Sequence, residues 1–175
     1  IFPRRGLKIE LELARLSHQR ANLDVLVNGV PPSDPDSASI SEQAYYRFFA
    51  QAEGYLRLSR RITAFAQAQA GANFNYQRNA MNEFVVGGLT RMFRNQITFA
   101  GMQEGAVYTP ALATLQAGIR AQLFPGAYLA GRANVLVNNI ISRSDFFKYQ
   151  DFYSGYALTF SYNFALGPLD LSVMF

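Results

Sequence analysis

The sequence predicts an all-β protein: an antiparallel up-and-down transmembrane β-barrel, of which these 175 residues supply about seven strands. Three observations carry that reading. The first is strict alternation. From Ile62 to Phe74 the chain reads ITAFAQAQAGANF, with Ile62, Ala64, Ala66, Ala68, Ala70, Ala72 and Phe74 on one parity and Thr63, Gln67, Gln69 and Asn73 on the other. Successive strand side chains point to opposite faces, so such a strand has one apolar face and one polar face. The second is length. This run exceeds the roughly 5–6 residues of a globular strand and suits the roughly 9–11 needed to cross a bilayer at a tilt. The third is the rhythm of the connections, which alternate long and short, as in an up-and-down barrel with two distinguishable ends.

Each strand follows from the same pattern. The first runs from about Leu7 to Ser17, with Leu7, Ile9, Leu11 and Leu13 opposite Lys8, Glu10 and Glu12; the turn Phe2-Pro3-Arg4-Arg5-Gly6 precedes it. A long outer loop over about 18–43 contains the run VPPSDPDSAS. The second strand, about Tyr45 to Leu58, sets Tyr46, Phe48, Ala50, Ala52, Gly54, Leu56 and Leu58 against Arg47, Gln51, Glu53 and Arg57. Ser59-Arg60-Arg61 turns it into the Ile62–Phe74 strand. A second long outer loop, about 75–110, is broken by Gly87-Gly88 and Gly101 and is read as having some internal order. The fourth strand, about 111–123, presents Thr114, Gln116, Arg120 and Gln122 inward. The fifth, about 127–137, presents Arg132 and Asn134 inward. A third outer loop spans about 138–152. The last two strands, about 153–166 and 169–175, are joined at Gly167-Pro168.

Composition fits a barrel wall. Hydrophobic residues are 50% and charged residues 16%, below the roughly 25% usual for soluble domains, yet no run of about 18 apolar residues is present. The chain has no cysteine, which removes disulfides and thiolate chemistry. Its net charge of +4 is dispersed along the sequence, so no nucleic-acid partner is expected. The polar parity carries Gln, Asn, Thr and Arg rather than the dense Lys and Glu of a soluble surface, and Tyr and Phe collect near strand ends as in an interfacial girdle. A soluble ligand-binding β-barrel, with the apolar parity turned inward, is the alternative that periodicity alone leaves open. Seven strands leave two lipid-exposed edges, so missing strands or neighbouring subunits are expected to complete the sheet.

Chemistry is sparse. His18 is the only histidine and forms no Ser-His-Asp pattern. Asp34 and Asp36 lie in a Pro-rich loop and are read as solvated rather than Ca²⁺-binding. Gly87 and Gly88 are followed by no phosphate-loop Lys. No catalytic residue, cofactor site or metal site is expected. The lumen-facing candidates are Glu10, Glu12, Arg47, Glu53, Arg57, Arg120 and Arg132. Among these, Arg47, Arg57 and Arg120 are expected to meet Glu10 and Glu12 across a wet lumen. Gly87, Gly88, Arg91 and Arg94 are the candidates in the ordered loop.

Three segments, FPRRG, NEFVVGGLTRMFRNQITFAGM and SYNFALGPLDLSVMF, resemble the surface-antigen type barrel at the C-terminus of bacterial patatin-like phospholipases. That domain is related to the barrels of outer-membrane assembly and two-partner secretion. The resemblance covers nearly the whole chain, and GPLDLSV is its most specific part. It implies a barrel of about sixteen strands in a Gram-negative outer membrane, of which this chain is the later part, truncated at both ends. The IFPRRG start also has no leader pattern. Wider relatives carry a Val-Arg-Gly-Phe type motif on the loop that here holds Arg91 and Arg94, without the tetrad. The Gly-x-Ser-x-Gly and Asp-Gly motifs of the lipases are absent from these residues. The implied function is a barrel that anchors or exports an attached patatin-like lipase domain. The alternative within the membrane is an assembly, translocation or transport barrel. The expected partners are the lipid bilayer, lipopolysaccharide, other outer-membrane proteins and the remainder of the barrel.

Overall fold

The computed structural model describes residues 3–17, 44–75, 82–140, 151–164 and 167–175. Seven long strands form one antiparallel sheet: β1 (Gly6–Leu16), β2 (Tyr45–Arg57), β3 (Ile62–Phe74), β7 (Ala111–Phe124), β8 (Ala127–Asn138), β9 (Phe152–Phe164) and β10 (Gly167–Met174). Three short strands, β4 (Phe84–Val86), β5 (Gln96–Ile97) and β6 (Val107–Thr109), interrupt them in sequence and form a small sheet of their own. The order β1-β2-β3-β7-β8-β9-β10 follows the chain, the up-and-down topology anticipated from the connections. Most of the outer loops expected over 18–43 and 138–152 lies outside the described residues, and so do His18, Asp34 and Asp36.

The alternation sets the faces. The register pairs Glu10 with Gln51, Gln51 with Gln69, and Gln69 with Thr114, so the polar parity is continuous from strand to strand. The apolar parity is equally continuous: Ala50 with Ala70, and Ala70 with Ala113. A slip of one residue would exchange the two faces, so the match of parities specifies the register. The apolar face is bare. Leu7 and Leu11 are 72% exposed and Leu13 is 79% exposed. This is the reverse of a soluble barrel, whose apolar parity would be covered, and is what a wall facing hydrocarbon requires.

The sheet curls around its polar face. The Arg4 guanidinium, just before β1, donates to the Gln122 side chain of β7, which is three places along the sheet. Lys8 of β1 and Asp170 of β10, on the two edges, line one cavity of about 410 Å³. The short turns are local devices. Ser59 Oγ accepts from the backbone N–H groups of Arg61 (3.2 Å) and Ile62 (3.1 Å), tying the β2–β3 turn. Gly126, at φ 85°, closes the β7–β8 turn. Among the described residues no helix is long and apolar enough to cross a membrane, which says nothing of crossing by strands.

Candidate functional site

The inner face is occupied. The second loop expected outside the barrel folds back over residues 82–110 and packs on the polar side of the sheet. The apolar cluster that seats it joins Phe84, Val86, Ile97 and Phe99 of this connector to Phe49 of β2, Leu112 of β7 and Leu136 of β8. Each is nearly or fully buried. At roughly 1.5–3 kcal/mol for fully burying a large apolar side chain, the cluster is the main attachment.

Small residues on the sheet make room for it. Gly71 lies between Phe49 and Leu112 in the register, and a Cβ there would come within 2.6 Å of the Phe84 ring. On β9, a Cβ at Gly155 would stand 1.9 Å from the Ala100 carbonyl oxygen. Within the connector, Gly87 has φ 130° and its Cα faces the Gln103 carbonyl, where a Cβ would meet the oxygen at 1.8 Å. That position combines a left-handed backbone with no side-chain space, so only glycine fits.

Polar side chains complete the seat. Asn134 of β8 grips the backbone of Ala100 at both ends: the Ala100 N–H donates to Oδ1 (3.1 Å), and Nδ2 donates to the Ala100 carbonyl (3.2 Å). Arg47 of β2 is buried. Its Nη2 donates to the Asn82 carbonyl (2.8 Å) and the Tyr45 hydroxyl (3.3 Å), and its Nε to Asn73 Oδ1 (3.2 Å). Its guanidinium also lies 5.3 Å from the centre of the Phe84 ring. Asn73 Nδ2 donates to the same Asn82 carbonyl (2.7 Å), so one connector carbonyl accepts from two adjacent strands. Inside the connector, the fully buried Gln96 accepts from the Met92 N–H (2.7 Å) and donates to the Gly87 carbonyl (2.8 Å). These bonds satisfy backbone groups that would otherwise be buried without partners.

The expected charge partners are rearranged. Glu10 and Glu12 are on the inner face, but the cations that reach them are Arg91 (3.5 Å) and Arg94 (3.0 Å) of the connector, with Lys8 at 3.6 Å from Glu10. Among the described residues Arg47, Arg57 and Arg120 form no ion pair with them. Arg47 binds the connector's backbone. Arg57 is at the rim, its Nε donating to the Ser59 carbonyl (3.1 Å). Arg120 donates to the Pro3 carbonyl and lies against Tyr55 and Tyr128. Glu53 accepts from the Tyr55 hydroxyl. Arg132 lies against Phe65 and lines the remaining cavity with Asp170. Arg91 stacks 4.8 Å from the centre of the Phe49 ring, so the connector's tip is held by both charge and aromatic contact. The Arg94–Glu12 pair is largely exposed at its arginine and adds little by itself.

Gln96, Gly71 and Gly155 are the residues that sequence reasoning passed over, while Asn73 and Asn134 stand on the polar parity but are not among its site candidates. The available signal was apolar residues on the polar parity. Phe49, Leu112 and Leu136 sit among Gln, Asn and Arg, where a water-filled lumen has no use for them. Among the described residues no group of His, Cys, Asp or Glu gathers to hold a metal.

An open antiparallel wall, apolar outside and polar inside, with tight turns at one end and a long connector folded onto its inner face, is the wall of an outer-membrane barrel. Residues 37–175 match the family described as the OMP85 superfamily, and the chain belongs to it. Searches of the curated proteins and of the solved structures return no match. Family and fold together make this a β-barrel protein of the bacterial outer membrane and set aside the soluble ligand-binding barrel.

Proposed function

We propose that this chain is the later part of an outer-membrane barrel that anchors, or passes to the cell surface, a domain attached to it, with the 82–110 connector keeping the lumen closed in between. The observation that carries the reading is the seat of the connector. Phe84, Val86, Ile97 and Phe99 exclude water from the place where an open pore would hold it. A barrel built for steady diffusion of small solutes has no need of a buried apolar cluster in its lumen.

Edges β1 and β10 have no strand partner among the described residues. Unpaired backbone groups in hydrocarbon cost several kcal/mol each, so further strands flank this sheet in the membrane. The likeness of FPRRG, NEFVVGGLTRMFRNQITFAGM and SYNFALGPLDLSVMF to the barrels of patatin-like phospholipases supports a lipase as the attached domain, in a Gram-negative envelope. Assembly or translocation of other polypeptides is the second reading. It is favoured by the superfamily match and by the Arg91 and Arg94 contacts at the connector's tip.

The test is the protein extracted by detergent from its own membrane, with intact mass and phospholipase activity read on the same fraction. The lipase reading expects a mass above 19.5 kDa together with hydrolysis of phospholipid. The same mass with no hydrolysis, but with faster insertion of other barrel proteins into vesicles, supports the second reading. A 19.5 kDa species that stays in solution without detergent contradicts both.

A further inference from the structure

Arginines that look dispersed in the sequence converge in the fold. Arg4 and Arg5 precede β1, Arg57 ends β2, and Arg60 and Arg61 form the β2–β3 turn. The register sets Gly6 beside Tyr55 and Arg57 beside Thr63, so all five occupy the same end of three adjacent strands. Arg5, Arg57, Arg60 and Arg61 are exposed. The stretches 3–7, 54–66 and 117–128, which make up this corner, contain no Asp or Glu. Among the described residues none of the five arginines is in an ion pair. This is the tight-turn end of the wall, which in such barrels faces the periplasm.

A groove of about 700 Å³ opens on the outer face beside this rim. Its floor is Gly54, Ala64, Ala66 and Ala117, and its sides include Leu56 and Ile119. The register explains the depression. Gly54, Ala66 and Ala117 are direct neighbours on β2, β3 and β7, a transverse row with no side chain larger than a methyl. Leu56 is 61% exposed and Ile119 is 55% exposed, so both project beyond the floor. The floor belongs to internal strands, so strands added at β1 or β10 do not cover it.

We propose that this corner is a binding site for one anionic phospholipid of the periplasm-facing leaflet, with an acyl chain in the groove and the phosphate on Arg5, Arg60 and Arg61. The groove is apolar, lies on the face turned to hydrocarbon, and reaches Gly6 and Leu56, which adjoin Arg5 and Arg57 in the chain. An acyl chain ending in a phosphate has that same sequence of chemistry along its length. Guanidinium offers paired N–H donors to phosphate oxygens, and an arginine stem can lie along apolar surface while its head stays at the interface. Clusters of basic residues beside a membrane-embedded surface attract anionic lipid.

The test uses the protein purified from its own membrane and placed in phosphatidylcholine nanodiscs containing a minority of phosphatidylglycerol. Native mass spectrometry then reads the lipid retained on release. Phosphatidylglycerol is expected to be enriched over phosphatidylcholine. The triple variant Arg5→Gln, Arg60→Gln, Arg61→Gln should lower that enrichment about tenfold or more. Filling the groove with Ala66→Leu and Ala117→Leu should lower retention while leaving the arginines in place. Both sets change outer-face or rim positions, and unchanged heat-modifiable migration on gels shows that they fold. Equal retention of the two lipids by the parent protein overturns the proposal. So does enrichment unaffected by either variant, or displacement of the lipid by glycerol phosphate alone, which would mark a free-phosphate site.

Discussion

Valine in place of Gly155 is expected to detach the connector from the inner face. A Cβ at this position meets the Ala100 carbonyl oxygen at 1.9 Å and the carbonyl carbon at 2.9 Å. Both are backbone atoms, and Asn134 bonds the N–H and the carbonyl of Ala100, so nothing nearby can yield cheaply. The strand cannot yield either, because Gly155 is opposite Asn134 in the β8–β9 ladder. The segment 99–101 must therefore lift. Lifting it withdraws Phe99 from the apolar cluster and breaks two buried hydrogen bonds, on the order of 3 kcal/mol or more in total. Limited proteolysis of the protein in detergent would read the change as new cleavage within 82–110. Gly131→Ala is the control: it lies on the neighbouring strand, its added Cβ meets nothing within 4 Å, and it should leave the pattern unchanged. Full protection in Gly155→Val would mean that the connector is not seated where the fold puts it.

Arginine in place of Ala68 is expected to destabilise the folded protein in lipid by roughly 2–4 kcal/mol, the cost of a guanidinium on the hydrocarbon face near the bilayer midplane. Ala68 is at the centre of β3, on the bare apolar parity, between Ala52 and Leu115. Gln67→Arg, one residue away, turns to the inner cavity among Glu53 and Gln116 and should cost far less. Urea titration of refolding into vesicles gives both values. A similar cost at the two positions would contradict the assignment of faces.

Most of the wall was legible because a period of two leaves little ambiguity. The expected third strand, Ile62–Phe74, coincides with β3, and the other long strands agree within two or three residues at each end. The faces follow from the same parity, which puts Glu10, Glu12, Arg47, Glu53 and Arg132 on one side of the sheet. The connector was harder to read. Its strands are two or three residues long, too short to show any period, and its order depends on the Asn82 carbonyl accepting from the Arg47 side chain of β2 and on the Gln96 side chain donating to the Gly87 carbonyl. Its inward fold left one trace, the apolar residues Phe49, Leu112 and Leu136 on a parity otherwise polar. The charge pairs were misassigned for the same reason. Once 82–110 is folded inward, Arg91 and Arg94 stand closer to Glu10 and Glu12 than any strand arginine does.

The central claim is that one parity of these strands faces lipid while the other faces a lumen filled by the connector. The chain has no cysteine, so single cysteines can be placed one at a time along β3 from 64 to 69 and labelled with an environment-sensitive fluorophore. Quenching by bilayer-embedded nitroxide lipid is predicted at 64, 66 and 68 and not at 65, 67 and 69. Quenching of the odd set instead, or of both sets alike, would contradict the account.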